Sequence, residues 1–206
     1  TDINPLTHYV CFGAQKKYKP TPLFDPKYYL EQLPDTETVE DDDLFYHFIT
    51  RGWKIGINPN LFFHTRSFLG NYPEVTQSKS NPLTYFKKNW KNKQFITSPY
   101  FDTKYYLGVC GKSMSLKEDP LSDYLSRGLK DGLSGSELIN TYFDQQFYYD
   151  KTPDKIIKSM GLLFHYLRYG EKEGKWVNPV LDPEVVNAQS IDLKEQSFFE
   201  RLESFE

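Results

Sequence analysis

A motif of helix-capping residues, prolines, glycines and paired aromatic residues recurs along this chain every 38 to 42 residues. Its first half reads Asn-Pro-Leu-Thr-Tyr-Phe at 81–86, and its second half reads Leu-Phe-Asp-Pro-Lys-Tyr-Tyr-Leu at 23–30. A fixed period of this size predicts one supersecondary unit stacked on its own copies, because a single unit cannot bury its apolar face alone. Aligned on the fifth residue of the first half, the copies fall at His8, His47, Tyr85, Asp123 and His165.

Each half of the motif carries the residues that begin a short helix. In the first half, Asn or Asp precedes proline, which is the arrangement of an N-cap followed by proline at the first helical position. The second half opens with aspartate ahead of its paired rings. Glycine or asparagine closes the first half, as at Gly52 and Asn89, and predicts a helix end in left-handed geometry. The predicted structural caps are Asn4, Asp25, Asn81, Asp102, Asp119 and Asp144.

Two short helices in each copy predict an all-α fold, an array of short helix pairs that resembles an α-solenoid. Phe95–Thr97 and Leu133–Thr141 are too short or too interrupted to predict strands. We expect the array to span residues 1–186. Residues 187–206 lose the motif and predict an amphipathic helix that caps the array or links it to a further domain. The predicted units start near residues 4, 43, 81, 119 and 161.

The composition argues against several function classes. The 25 lysines and arginines are scattered among 28 aspartates and glutamates, so nucleic acid is not an expected partner. Cys11 and Cys110 occupy unrelated motif positions, which predicts free thiols. No apolar run is long enough to span a membrane, and the chain starts at Thr1 without a signal-like segment. We expect a cytoplasmic piece of a longer protein, held at the inner face of the membrane through its partners.

The motif resembles repeats that accompany bacterial glycosyltransferases. The resemblance rests on Asn-Pro-Leu-x-His-Tyr, Gly-Trp-Lys-Ile-Gly-Ile-Asn-Pro and Leu-Phe-Asp-x-x-Tyr-Tyr-Leu, and it covers residues 4–186. It implies an accessory role beside the transferase domains of large proteins that make capsules, rhamnose-rich polymers and exopolysaccharides. The chain departs from the family pattern where His64 replaces aspartate, where Asp123 replaces histidine, and in the copy around Tyr85, which lacks both loop glycines.

Three histidines at one motif position suggest a metal site, but a structural role is the better interpretation. Equivalent residues on successive helices lie about 10 Å apart, which is too far for one tetrahedral site. The same position carries Tyr85 and Asp123 in other copies, and neither side chain keeps imidazole chemistry. The three histidines are His8, His47 and His165.

The candidate catalytic carboxylates also have structural interpretations. Asp25, Asp102 and Asp144 lie where a helix begins, so capping explains their position better than glycosidic chemistry does. The run Glu40–Asp43 resembles the metal-binding Asp-x-Asp of transferases, yet it precedes a helix, where negative charge is favourable. The sequence contains no phosphate-binding loop, catalytic triad or zinc spacing. We therefore predict no catalytic residue, metal ligand or cofactor.

Trp53 and Trp90 directly follow the predicted ends of their helices, and two interpretations stay open. Each indole either makes the apolar contact that accompanies a helix end, or forms a platform on which a sugar ring stacks. The second interpretation places an acidic glycan across the loops of the second and third units. The cations that would accompany it are Lys54, Lys87, Lys88, Lys91 and Lys93.

These observations predict a non-catalytic helical-repeat module of a polysaccharide-assembling glycosyltransferase. We expect it to oligomerise or space the catalytic domains, and to bind the growing polymer or set its length. Its expected partners are copies of itself, the adjacent transferase domain and a bacterial polysaccharide. A stand-alone protein-interaction scaffold is the first rival and predicts self-association with indifference to glycans. A cryptic transferase is the second and predicts turnover of a sugar nucleotide that depends on residues 41–43.

Overall fold

The fold is mostly helical, as predicted, and it includes a short two-stranded sheet that the all-α prediction did not contain. The computed structural model describes residues 20–37, 39, 44–110, 118–184, 186 and 197–203. The chain divides into two compact units, Thr1–Ser98 and Pro99–Glu206. The predicted features at Asn4, His8, Cys11 and Glu40–Asp43 lie outside the described residues, as does much of 187–206.

Short helices follow one another along both units. In the first unit, a π-helical turn covers Phe48–Gly52 and α-helices cover Pro26–Leu30, Leu44–His47, Thr65–Asn71, Pro73–Gln77 and Pro82–Asn89. The strand Ile96–Ser98 lies in the first unit, and the strand Phe101–Asp102 lies in the second. In the second unit, π-helical turns cover Tyr124–Gly128 and Tyr166–Gly170. Its α-helices are Thr103–Cys110, Pro120–Asp123, Glu137–Tyr142, Gln145–Lys151, Lys155–Met160, Leu162–His165 and Phe198–Glu203.

The prediction that Phe95–Thr97 forms no strand was wrong. Tertiary hydrogen bonds fix this stretch in an extended form that a few residues alone could not hold. The Tyr72 hydroxyl accepts the N–H of Ile96 at 2.8 Å, and the carbonyl of Thr97 accepts the N–H of His64 at 2.7 Å. Pro73 begins the next helix, Pro73–Gln77, because the first helical position needs no N–H donor.

Recurring contacts group most of the helices into four helix pairs, each made of a second-half helix and the first-half helix that follows it. Pairs 1 and 2 belong to the first unit, and pairs 3 and 4 to the second. We number them pair 1 (residues 23–60), pair 2 (62–98), pair 3 (100–136) and pair 4 (142–178).

Three aromatic rings form the core of each helix pair. In pair 1, the ring centroid of Tyr29 lies 5.2 Å from that of Phe24 and 5.7 Å from that of Phe48. All three rings are fully buried. Offset and edge-to-face contacts at these distances stabilise a core beyond simple area burial. The corresponding triplets are Phe63, Phe68 and Phe86 in pair 2, Phe101, Tyr106 and Tyr124 in pair 3, and Phe143, Tyr148 and Tyr166 in pair 4.

One backbone hydrogen bond ties the start of each pair to its end. The donor is the N–H of the residue just before the second-half helix. The acceptor is a carbonyl beyond the first-half helix. Because the donor precedes one helix and the acceptor follows the next, the bond closes the pair. The bonds are Asp25 to Pro59 at 2.9 Å, His64 to Thr97 at 2.7 Å, Asp102 to Gly135 at 2.9 Å and Asp144 to Val177 at 2.9 Å.

The capping side chains bond to the first turns of their helices. Asn81 Oδ1 accepts the N–H of Leu83 at 2.9 Å, and Asp119 Oδ1 accepts the N–H of Ser122 at 2.8 Å. Such bonds satisfy donors that have no partner within the helix itself. Asp25, Asp102 and Asp144 accept N–H groups in the same way.

We expect Asp119→Ala to cost about 2 kcal/mol of unfolding free energy, and Asp144→Ala about 1 kcal/mol or less. Asp119 is buried, and its Oδ2 also accepts the Ser122 hydroxyl at 2.7 Å, so its removal leaves two donors without this acceptor. Asp144 caps an exposed helix start and is the matched control. Urea unfolding followed by circular dichroism measures both, and equal losses would show that burial of the cap has no effect.

The helix Phe198–Glu203 packs on the core of the second unit. The Phe199 ring lies 5.5 Å from Tyr166 and 6.2 Å from Phe143, measured between centroids. Glu171 anchors the start of this helix, since its Oε1 accepts the N–H of Phe198 at 2.6 Å and lies 3.3 Å from Arg201 Nη2. These residues cover the aromatic triplet of pair 4. Whether residues 187–206 also lead into a further domain stays a prediction.

Candidate functional site

A buried tyrosine hydroxyl meets a polar side chain in three of the four helix pairs, and we call this contact the tyrosine latch. In pair 1, Tyr29 Oη lies 2.6 Å from His47 Nδ1. In pair 4, Tyr148 Oη lies 2.7 Å from His165 Nδ1. Each latch joins the second-half helix to the first-half helix of the same pair. His47 and His165, which share one motif position, therefore bond between the two helices of a pair.

Pair 3 contains the same latch with a different acceptor. The hydroxyl of Tyr106 donates to Asp123 Oδ2 at 2.5 Å. Asp123 also binds Arg127, whose Nη2 lies 2.8 Å from the same oxygen. A carboxylate and a neutral imidazole both accept a hydroxyl proton. The replacement of histidine by Asp123 thus preserves the hydrogen bond and changes only the acceptor.

Pair 2 lacks the latch, and every part of it is replaced together. The tyrosine is Phe68, which has no hydroxyl, and the acceptor position carries Tyr85. Phe95 packs here against Phe68 and Phe86, with both centroid distances at 5.5 Å. An aromatic cluster therefore occupies the place of the polar contact.

The glycines that close the first-half helices make room for the tyrosine hydroxyls. A methyl group at Gly52 would lie 1.9 Å from Tyr29 Oη, and one at Gly170 would lie 2.3 Å from Tyr148 Oη. The prediction that these glycines end their helices in left-handed geometry was wrong. Gly52, Gly128 and Gly170 lie in π-helical turns, whereas the positive φ angles occur four residues later, at Gly56, Gly132 and Gly174. Pair 2 has no glycine between Phe86 and Phe95, in keeping with the absence of a hydroxyl.

The backbone turn that carries each glycine is wider than an α-helical turn. In pair 4, the N–H of Glu171 donates to the carbonyl of Tyr166, five residues earlier, at 2.9 Å. In pair 2, the N–H of Trp90 donates to the carbonyl of Phe86, four residues earlier, at 3.0 Å. Pairs 1 and 3 have the wider turn, like pair 4. Among the described pairs, the π-helical turn thus accompanies the glycine and the latch.

Burial favours the uncharged form of the three latch tyrosines and of His165. It raises the pKa of the hydroxyls of Tyr29, Tyr106 and Tyr148 well above the ordinary value, and the hydrogen bond to Asp123 adds to the effect at Tyr106. Burial also lowers the pKa of His165, and the positive charge of Lys175 lowers it further. In the neutral tautomer that carries its proton on Nε2, the imidazole accepts the Tyr148 hydroxyl proton at Nδ1. The latch is therefore stable as a contact between neutral groups in pair 4.

The predicted glycan-binding residues fall into local groups in the first unit. Lys54 Nζ lies 5.8 Å from the ring centroid of Trp53, whose Nε1 donates to the carbonyl of Ile49 at 3.1 Å. Lys91 Nζ lies 5.6 Å from the ring of Trp90. Both indoles are half-buried. Each ring thus has a lysine of its own over one face, at a separation typical of a cation–π contact.

The remaining lysines of that prediction differ in their surroundings. Lys87 and Lys88 are exposed in the last turn of the helix Pro82–Asn89. Lys93 is paired with Glu74, and its Nζ lies 4.7 Å from the ring of Tyr72. An anion would therefore compete with Glu74 for Lys93, whereas Lys87 and Lys88 are accessible.

Pair 4 contains an open cavity of about 460 Å³ that the sequence did not predict. Its volume falls in the range of small-molecule sites. One aromatic wall is Trp176, whose side chain is 40% exposed. The cavity is lined by Phe147, Tyr148, Lys151 and Thr152, from the second-half helix and the residue after it, and by Lys175, Trp176 and Pro179, from the segment near the end of the pair. The third tryptophan of the chain was the sequence signal that could have indicated it.

No group of three or more histidine, cysteine, aspartate or glutamate side chains is arranged to hold a metal ion in the described part of the chain. Within the same residues, no helix has both the length and the apolar character that crossing a membrane requires. Comparison of the chain with protein-family models, curated proteins and solved structures finds no match.

Proposed function

We propose that this chain is a non-catalytic helical-repeat module of a bacterial polysaccharide-assembling glycosyltransferase. Its helix pairs would stack into an array that spaces or oligomerises the catalytic domains and holds the growing polymer, at the cytoplasmic face of the membrane. The motif resemblance supplies the association with glycosyltransferases. The structural observation that carries the non-catalytic role is the repeated tyrosine latch.

The latch supports a structural role because it occupies the side chains of the motif that are best suited to acid–base chemistry or metal binding. His47, His165 and Asp123 each bond to a buried hydroxyl of the same helix pair. A general base or a metal ligand must present a lone pair to a ligand. In these three residues one such atom, His47 Nδ1, His165 Nδ1 or Asp123 Oδ2, lies against a tyrosine hydroxyl. Their recurrence is accounted for by packing within each pair.

The self-association part of the proposal is tested by absolute mass. We expect light scattering behind a sizing column, over a concentration series, to give a dimer or a higher oligomer of the chain. A linked set of weak sites gains affinity for a polymer when copies are joined, so assembly and polymer binding reinforce each other. A monomer at every concentration would rule out the oligomerising role and leave the spacing role.

We expect Trp53→Ala with Trp90→Ala to weaken binding of an anionic polysaccharide by about tenfold. Each aromatic contact at the surface contributes about 0.5–1 kcal/mol, and about 1.4 kcal/mol corresponds to a tenfold change in affinity. Isothermal titration with polygalacturonate measures the affinity. Trp53→Phe with Trp90→Phe is the matched control, because it keeps an aromatic face at both positions. An unchanged affinity in the alanine variant, with helicity preserved, would contradict a sugar platform and favour a protein-interaction scaffold.

A further inference from the structure

We propose that the cavity in pair 4 binds a carboxylate-bearing sugar ring. The inference deepens the proposed function and rests on it for the idea that the sugar belongs to a polysaccharide. The site lies entirely within the second unit, whereas Trp53 and Trp90 lie in the first. The two can therefore be tested separately.

The strongest argument comes from comparing pair 4 with pair 1 at the same place. In pair 1, Gln32 lies three residues after Tyr29, and Asn58 lies one residue before the carbonyl that closes the pair. Gln32 Nε2 donates to the carbonyl of Asn58 at 3.0 Å, and Gln32 Oε1 accepts the N–H of Asn58 at 3.2 Å. This reciprocal amide contact joins the end of the second-half helix to the linking segment.

In pair 4, Lys151 and Trp176 stand at those two positions. Lys151 lies three residues after Tyr148, and Trp176 lies one residue before Val177, whose carbonyl closes the pair. In pair 4, the cavity of about 460 Å³ lies at this junction between the second-half helix and the linking segment. Pair 1 closes this junction with hydrogen bonds, whereas pair 4 leaves it open. The shared fold therefore does not require the cavity. The replacement also introduces an aromatic ring and a cation together.

The chemistry of the lining favours a ligand with one apolar face and a negative charge. Trp176 and Phe147 provide aromatic surface of the kind that lies against the C–H face of a sugar ring. The lining contains two lysines and no acidic residue. Lys151 Nζ lies 5.8 Å from the Phe147 ring, so its charge is held near the aromatic surface.

Lys175 provides the second positive charge at the cavity. Its Nζ lies 3.1 Å from Glu173 Oε2, and the Lys175 side chain is 30% exposed. An ammonium has three donors, so a ligand carboxylate can share Lys175 with Glu173. A neutral or cationic ligand would gain no attraction from these two positive charges. The combination of ring and cations therefore points to an acidic sugar.

The test uses the full chain and a galacturonic acid trimer, with the methyl-esterified trimer as a probe of the same shape without charge. We expect the acid trimer to bind saturably in isothermal titration. We expect the ester to bind about tenfold more weakly, because one charge-assisted hydrogen bond is worth about that factor. Equal affinities would overturn the anionic part of the proposal. Inorganic phosphate that binds as tightly as the trimer would overturn the sugar part.

The variant K151Q with W176N installs the amide pair of pair 1, so we expect it to fold and to lose at least about tenfold in affinity for the acid trimer. K151Q alone, which keeps the indole, is the second variant should the double substitution unfold the unit. Unchanged affinity in a folded variant overturns the proposal. Trimer binding that survives Trp53→Ala with Trp90→Ala assigns the site to pair 4, whatever those substitutions do to long polymers or to self-association.

Discussion

Replacement of Gly170 by alanine is expected to destabilise the second unit by about 3 kcal/mol. The added methyl group would lie 2.3 Å from Tyr148 Oη, inside any permitted contact distance. The tyrosine would have to move away from His165 and so lose a buried hydrogen bond as well. Urea unfolding of the full chain, followed by circular dichroism and by tryptophan fluorescence, measures the loss.

The second substitution Tyr148→Phe is expected to relieve most of this clash. Without the hydroxyl, the nearest atoms to the new methyl group are Tyr166 Cδ2 at 3.1 Å and Tyr148 Cζ at 3.3 Å, which small shifts can accommodate. Tyr148→Phe alone should cost about 1–2 kcal/mol. The double variant should therefore be more stable than the sum of the single losses, by about 1–2 kcal/mol. Strict additivity would contradict the steric role assigned to the glycine.

Gly108→Ala is the matched control in the same unit. Gly108 lies in the helix Thr103–Cys110, and a methyl group there would meet no atom within 4 Å. Alanine is the better helix former, so this variant should gain up to about 1 kcal/mol. A similar loss in Gly108→Ala and Gly170→Ala would indicate that glycine is needed for backbone reasons and not for space.

The stability of the second unit is expected to fall as the pH is lowered from 7.5 to 5.5. Burial and Lys175 hold the pKa of His165 below its ordinary value of 6.5, so the unfolded chain binds a proton at this residue before the folded chain does. The contribution of the neutral imidazole is thus complete above pH 6.5 and declines as the pH falls toward the folded pKa. Because one histidine binds one proton, it can change the unfolding free energy by at most about 1.4 kcal/mol per pH unit.

The control for this prediction is the pair of substitutions Tyr148→Phe and His165→Tyr, which installs the residues found at Phe68 and Tyr85 in pair 2. This variant has no group at position 165 that titrates in the range, so its unfolding free energy should vary less with pH than that of the unchanged chain. Urea midpoints measured every half pH unit compare the two. Identical slopes would show that His165 does not carry the pH dependence.

The local parts of the fold could be predicted from the sequence, because they depend on a few adjacent residues. The caps Asn81 and Asp119 act on donors two or three residues away, and the sequence shows both partners. The strand Ile96–Ser98 could not be predicted, since its extended form depends on bonds from Tyr72 and His64 in another part of the unit.

The tyrosine latch could have been found from the motif but was not. Tyr29, His47 and Gly52 occur together, whereas Phe68 occurs with Tyr85 and without a glycine. That joint replacement indicates contact among the three positions. Only the structure shows its geometry, because the hydroxyl and its acceptor lie 17 or 18 residues apart on different helices. The cavity of pair 4 likewise could not be predicted, because it depends on which residues Trp176 meets from the distant segment 147–152.

The backbone bond that closes each helix pair has a consequence for how the chain acquires its structure. Donor and acceptor lie only 33 or 34 residues apart in all four pairs, from Asp25 and Pro59 to Asp144 and Val177. The entropy of closing a loop of that size is the same wherever it occurs along the chain, so the closing bond of each pair needs no distant partner. The closing bond of each pair can therefore form as soon as its own segment has been synthesised.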